Sequence, residues 1–171
     1  MRDDLFVWKK FAKIGLVGLI PLIFIFVFFK ASPGNPIFYD IFNLTHSIKS
    51  NISSNNILLS KPLGLYVGFA ILFSVYFVLK YGNLVKLKQG VITPAFIIMK
   101  FVPFSLIAFI YIYFMVFYDL DVTEGNRLLR FVSSSDFLLL SYYLVSFIGV
   151  YCFSMLFLLL LIKSFSVVKN N

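Results

Sequence analysis

The sequence predicts an all-α integral membrane protein, a bundle of four transmembrane helices with both termini cytoplasmic. Three observations carry that prediction. The chain of 171 residues is 61% hydrophobic and only 13% charged, whereas a soluble domain holds about 45–50% apolar and about 25% charged residues. Its apolar residues fall in long runs separated by polar stretches. Helices suit such runs because a bilayer offers no water to backbone groups, so each must be bonded within the structure. Finally, lysine and arginine are distributed unevenly among the connections. The whole chain, 1–171, reads as one membrane domain with spans at about 12–30, 62–80, 97–118 and 137–162. Connectors 31–61 and 119–136 face outward, and loop 81–96 is cytoplasmic.

The first span is built on the run Ile14 to Phe29, between Lys13 and Lys30. It is slightly short for a hydrocarbon core of about 30 Å, but Phe11 and Ala12 extend it and the lysines can snorkel. A signal peptide is the competing reading. Asp3 and Asp4, and Lys30 where a cleavage site would begin, favour an uncleaved span. Pro21 marks a bend or a close contact. In the 31–61 connector, Asn35 before Pro36 is a helix start. Ile37, Phe38, Ile41, Phe42 and Ile48 then recur at helical spacing opposite Asp40, Asn43 and Ser47, a pattern for a short helix in the membrane surface. Asn43-Leu44-Thr45 and Asn51-Ile52-Ser53 match the glycosylation sequon, a pattern short enough to arise by chance. His46 has no second His or Cys to join it and reads as a solvated loop residue.

Pro62 is a natural first residue for the second span. Gly64 and Gly68 form a GxxxG strip on which another helix can approach closely, within the bundle. The third span starts near Thr93-Pro94, with Lys100 as an anchor toward one end and Tyr111, Tyr113 and Tyr118 toward the other. The fourth starts beside Ser133–Ser135 and Asp136, whose acceptors suit a positive helix N-terminus. Ser141, Ser146, Gly149 and Ser154 supply its small positions, with Ser146 and Gly149 the helix-packing candidates beside Gly64 and Gly68. Cys152, the one cysteine, lies inside this apolar run and reads as a small buried hydrophobe.

Of 15 basic residues, ten fall in the two tails and the 80–100 region, and five (Lys30, Lys49, Lys61, Arg127, Arg130) in the connectors. That asymmetry sets the orientation. It also accounts for the net charge of +8 without nucleic acid, since no basic helix face with interleaved aromatics exists. All seven acids lie outside the spans, which weighs against an ion-coupled transporter. No phosphate loop, metal spacing or supported nucleophile triad occurs, so neither an enzyme nor a cofactor is expected. No oligomeric state follows from the sequence.

Two stretches carry a resemblance. The first is IGLVGLIPLIFIFVFFK from Ile14 to Lys30. The second runs from Asp121 to Tyr143 and contains Thr123, Arg127, Arg130 and Asp136 followed by Phe137-Leu138-Leu139-Leu140. Together with length, span number and lysine-rich ends, they resemble the immunity proteins against pore-forming colicins of the colicin A type. The resemblance implies a multi-pass protein of the bacterial inner membrane. Such a protein binds the pore-forming domain of its cognate colicin and prevents channel opening, protecting the producing cell. It makes Thr123, Arg127, Arg130 and Asp136 candidate partner-binding residues, with membrane lipid as the surrounding solvent. A small structural or assembly subunit of a membrane complex would show the same composition and is the alternative. For Arg127 and Arg130 the favoured reading is structural, pairing with Asp119, Asp121, Glu124 or Asp136 to fix the turn. The other reading is contact with the toxin.

Overall fold

A computed structural model describes residues 2–85 and 97–169. Helix α1 (Arg2–Ala31) is followed by α2 (Pro36–Thr45), α3 (Ile57–Val67) and α4 (Ala70–Tyr81). Then come α5 (Val102–Ile112), the short α6 (Arg127–Ser133) and the long α7 (Asp136–Lys169). Among the described residues, four helical stretches are long and apolar enough to cross a membrane, namely Leu5–Ala31, Ser54–Leu84, Met99–Phe117 and Asp136–Ser164. The expected start of the third span at Thr93-Pro94 lies outside the described residues.

Asparagine begins α2, α3 and α6. The side chain of Asn35 accepts from the Ile37 amide at 3.0 Å, Asn56 from Leu59 at 3.3 Å, and Asn126 from Leu129 at 3.0 Å. Each bond satisfies one of the amides that a helix start leaves without a partner. In α2 the apolar face divides: Phe38 is buried against Phe29, rings edge-on at 5.0 Å, while Ile37, Tyr39 and Leu44 stay exposed. Helix α1 runs through Pro21 without a break.

The second span differs from the expected one. It begins at Ser54, and Pro62 lies inside α3 instead of at its start. The reason is local. Asn56 supplies the cap, and the polar residues that look like a connector are satisfied by inward bonds. Ser60 Oγ accepts from the Ser53 amide at 2.9 Å, and Lys61 Nζ donates to the Ile48 carbonyl at 2.5 Å. Lys61, only 4% exposed, is therefore a clamp on the connector. The span also breaks between α3 and α4, where Gly68 and Phe69 donate to Leu65 and Tyr66 in tight three-residue turns. The third span is α-helical only in its middle. It closes with a widened turn in which Tyr118 donates to the Tyr113 carbonyl at 3.0 Å.

Helix α7 is the central element, packing against α1, α3, α4 and α5. Its aromatic rings fit where other residues are small. Phe147 lies over Gly18, where a Cβ would come within 2.6 Å of the ring, and Tyr151 lies over Gly15. Tyr151 also stacks on Phe11 at 4.7 Å and donates to its carbonyl at 3.1 Å. Gly149 in turn makes room for Tyr111 of α5. Between α4 and α7, buried Ser74 donates to the Tyr151 carbonyl at 2.9 Å or shares a proton with Ser154 at 2.6 Å. Such close packing and interhelical polar bonds hold helices together where apolar burial gives little net drive.

These contacts fix the helix directions. Val7, Phe77, Val78 and Met155 cluster at one end. Lys30, the 51–56 segment, the 120–123 turn and Asp136 meet at the other. The start of α1, the end of α4 and the later part of α7 thus share one end.

The two GxxxG glycines meet different neighbours. A Cβ at Gly64 would lie 2.3 Å from the Asn51 backbone oxygen, whereas at Gly68 it would lie 3.3 Å from Val116 Cγ1 of the third span. Backbone cannot step aside as a side-chain methyl can. Gly64→Ala is therefore expected to destabilise the fold by roughly 1–3 kcal/mol. Gly68→Ala should change stability by less than about 1 kcal/mol, helped by alanine's helix propensity. Equilibrium unfolding in detergent micelles measures both, and equal effects would rule out this difference in packing.

Candidate functional site

The two connectors close over one end of the bundle as an interlocked lid. Ile52 donates to the Leu120 carbonyl at 2.9 Å and accepts from the Val122 amide at 2.8 Å, a single parallel bridge between segments far apart in sequence. Side chains reinforce it. Asp121 accepts from the Ser54 hydroxyl, from the Ser54 amide at 3.3 Å and from the Thr123 amide at 2.8 Å. Ser53 and Thr123 share a hydroxyl bond at 3.1 Å. Burial alone raises the Asp121 carboxyl, but the hydrogen bonds from Ser54 and Thr123 outweigh it and hold it below its ordinary value.

Beneath the bridge, Asn51 is 2% exposed. With its amide nitrogen turned toward the third span, it donates to the carbonyls of Phe114 at 3.3 Å and Tyr118 at 3.2 Å. It then accepts from the Tyr142 hydroxyl at 3.1 Å. This orientation pairs the side chain's donors and acceptor with complementary groups. Tyr143, buried in the same place, donates to the Asn51 carbonyl at 2.8 Å. One connector residue thus joins the end of the third span to the first turns of α7.

At the rim, Asp136 opens α7 and accepts from Lys30 at 2.5 Å and from Asn56 at 2.8 Å. That ties the end of α1 to the starts of α3 and α7. Asn55 donates to the Ser133 carbonyl at 3.2 Å and so holds the end of α6. The α6 helix itself points most of its side chains away from the bundle. Arg127 and Arg130 are exposed, with Leu128 and Phe131 at 68% and 64%.

The expected arginine pairing is not what forms. Among the described residues, neither arginine lies within ion-pair distance of a carboxylate. Asp121 and Asp136 face inward to the 54–56 segment and Lys30, while α6 carries the guanidinium groups outward. Arg130 bonds instead to the Gly125 carbonyl at 3.1 Å, bracing the turn before its own helix. The structure therefore separates the four candidate partner-binding residues. Thr123 and Asp136 are tied into the lid, and Arg127 and Arg130 stand on its exposed side.

The helix-packing candidates also fall in different places. Gly64 abuts the connector backbone, Gly68 the third span, and Gly149 the Tyr111 ring, while Ser146 is buried in α7. The sequence reading missed Asn51, Tyr142 and Tyr143, and the pair Gly15 and Gly18. The spacing of the glycines three residues apart was the available signal for that pair. Among the described residues, no three His, Cys, Asp or Glu side chains are placed to hold a metal ion.

Four long apolar helices under a polar lid fit a multi-helix protein of the membrane type. Compared with known families, residues 34–171 match the family described as colicin immunity protein, and the chain belongs to that family. The match begins after α1, so the resemblance of the first span lies outside it. Neither a curated protein nor a solved structure matches the chain significantly. Family membership makes the function colicin immunity and the partner a colicin.

Because Asp121 has a lowered pKa in the folded lid, its stabilising contribution is complete above the unfolded carboxyl value near 4. It is lost as pH falls through the lower folded value. Asp121→Asn should lower stability at pH 7 by roughly 1 kcal/mol, a figure discounted for partial exposure. The difference from wild type should shrink as pH falls below about 4. Paired unfolding curves in detergent test this. A difference that stays constant with pH would show that the ionised carboxylate is not what holds Ser54.

Proposed function

We propose that the chain confers immunity to a pore-forming colicin of the colicin A type from within the bacterial inner membrane. It binds the toxin's pore-forming domain and prevents channel opening, with no enzymatic step. In this reading the termini are cytoplasmic and the lid faces outward, the orientation that the lysine and arginine distribution supports. The four apolar helices are the lipid-facing body.

The observation that carries the reading is the exposed α6 face beside a rigid lid. Arg127 and Arg130 stand next to Leu128 and Phe131. Guanidinium groups that the lid leaves without a carboxylate remain free to form forked bonds with an acidic partner. The adjacent apolar side chains suit an amphipathic helical segment arriving at the membrane surface. Shape and charge at such a face can reject related toxins as well as accept one.

Expressed alone in a sensitive host, the chain should protect against at least one pore-forming colicin of this group. No protection against any of them would overturn the proposal. The double reversal Arg127→Glu/Arg130→Glu should keep normal membrane levels yet lower protection by about tenfold or more, the equivalent of 1.4 kcal/mol. Arg127→Lys/Arg130→Lys should lose less. Parallel loss of protein level and protection would assign the arginines to folding alone.

A further inference from the structure

At the end opposite the lid, a groove of about 410 Å³ opens between α1 and α4. Apolar Ile14, Val17 and Leu72 line it together with Lys10, Lys13 and Tyr76. Lys80 adds a further cation there, donating to the Tyr76 hydroxyl at 3.0 Å and lying 5.4 Å from its ring centre. The groove is therefore amphipathic along its length, and it lies where these spans give way to charged residues.

We infer that this groove binds one anionic phospholipid, its phosphate between Lys10, Lys13 and the Tyr76–Lys80 pair and an acyl chain along Ile14, Val17 and Leu72. Charge complementarity selects this occupant. Among the described residues, no acid lines the groove. Residues 86–96 carry Lys86 and Lys88 and no acid. Asp3 and Asp4 are the only acids of the N-terminal tail, and the remaining acids belong to α2, the lid and its connector. None of Lys10, Lys13 and Lys80 lies within ion-pair distance of a carboxylate among the described residues, and an apolar slot ending in cations fits a lipid better than a soluble anion. The volume lies within the usual range for a bound small molecule, about 300–1,000 Å³. The inference rests on membrane placement of the helices and not on the toxin reading.

Native mass spectrometry of the full chain in neutral detergent tests it, using phosphatidylglycerol and phosphatidylcholine with identical acyl chains. Wild type should retain phosphatidylglycerol about 30-fold better, as two surface lysines would give. Lys10→Gln/Lys13→Gln should bring the ratio near one without changing phosphatidylcholine retention. Leu72→Trp, at an exposed position that fills the slot, should lower retention of both lipids, with circular dichroism confirming that each variant is folded. Millimolar inorganic phosphate should fail to displace the lipid. Equal retention of the two lipids by wild type, an unaffected lysine variant, unchanged retention by Leu72→Trp, or displacement by phosphate would each overturn the inference. Protection by the lysine variant is read separately. Lost lipid with protection kept leaves the groove standing, and lost protection with lipid kept does not support it.

Discussion

The last carbonyls of an apolar helix have no partner inside that helix, and lipid supplies none. Here the third span ends against Asn51, whose amide takes the Phe114 and Tyr118 carbonyls while its oxygen takes the Tyr142 hydroxyl. Much of the lid depends on that arrangement. Asn51 must be buried, so the connector has to pass over the bundle, and Gly64 leaves the space for its backbone. Once Asn51 is fixed, Ile52 is positioned to exchange two backbone bonds with the 120–122 turn. Ser53, Ser54 and Asn56 then fall opposite Thr123, Asp121 and Asp136. The lid is a consequence of satisfying the end of one helix.

The bundle below is held differently. Rings of α7 meet glycines of α1, and Ser74 and Ser154 link α4 to α7 in a dry setting. The third span has the least support. Val102, Leu106, Phe109 and Ile110 are exposed, and the described α5 buries Ala108 fully. Its attachment rests on ring contacts such as Phe104 with Phe153 and Tyr111 with Phe153, and on Asn51 at its end. Clamping that end is therefore worth more than clamping a helix already packed on several sides.

Much of this architecture was legible in the sequence because long apolar runs announce helices. The cap at Asn35 and the small positions of α7 follow from equally local rules. The lid was not legible. Ser53, Ser54, Asn55 and Asn56 look like solvated loop residues when each is considered by its own chemistry. Their partners lie about seventy to eighty residues away along the chain. The seven-residue α6 is too short for periodicity to reveal, and it decided the fate of the arginines. Nearness in sequence suggested that Arg127 and Arg130 would pair with Asp121 or Asp136. Helix geometry turned them outward while Lys30, from the far side of the chain, took Asp136. Asn51 is a similar case: its sequon match carries no signal of the burial that its bonds to the third span bring.

The division of charge within the lid follows from these choices. Inward-facing carboxylates are neutralised by Lys30 and by hydroxyl and amide donors, which are short-range and fixed. The guanidinium groups on α6 are left with water and one backbone carbonyl. An arginine already bonded to a lid carboxylate would have to break that bond to meet a partner, and the cost would cancel much of the gain. Keeping Asp121 and Asp136 for internal ties and the arginines outside removes that competition. A lid built this way can be rigid and still present positive charge. The same feature that closes the end of the third span thus leaves positive charge exposed on the face beside it.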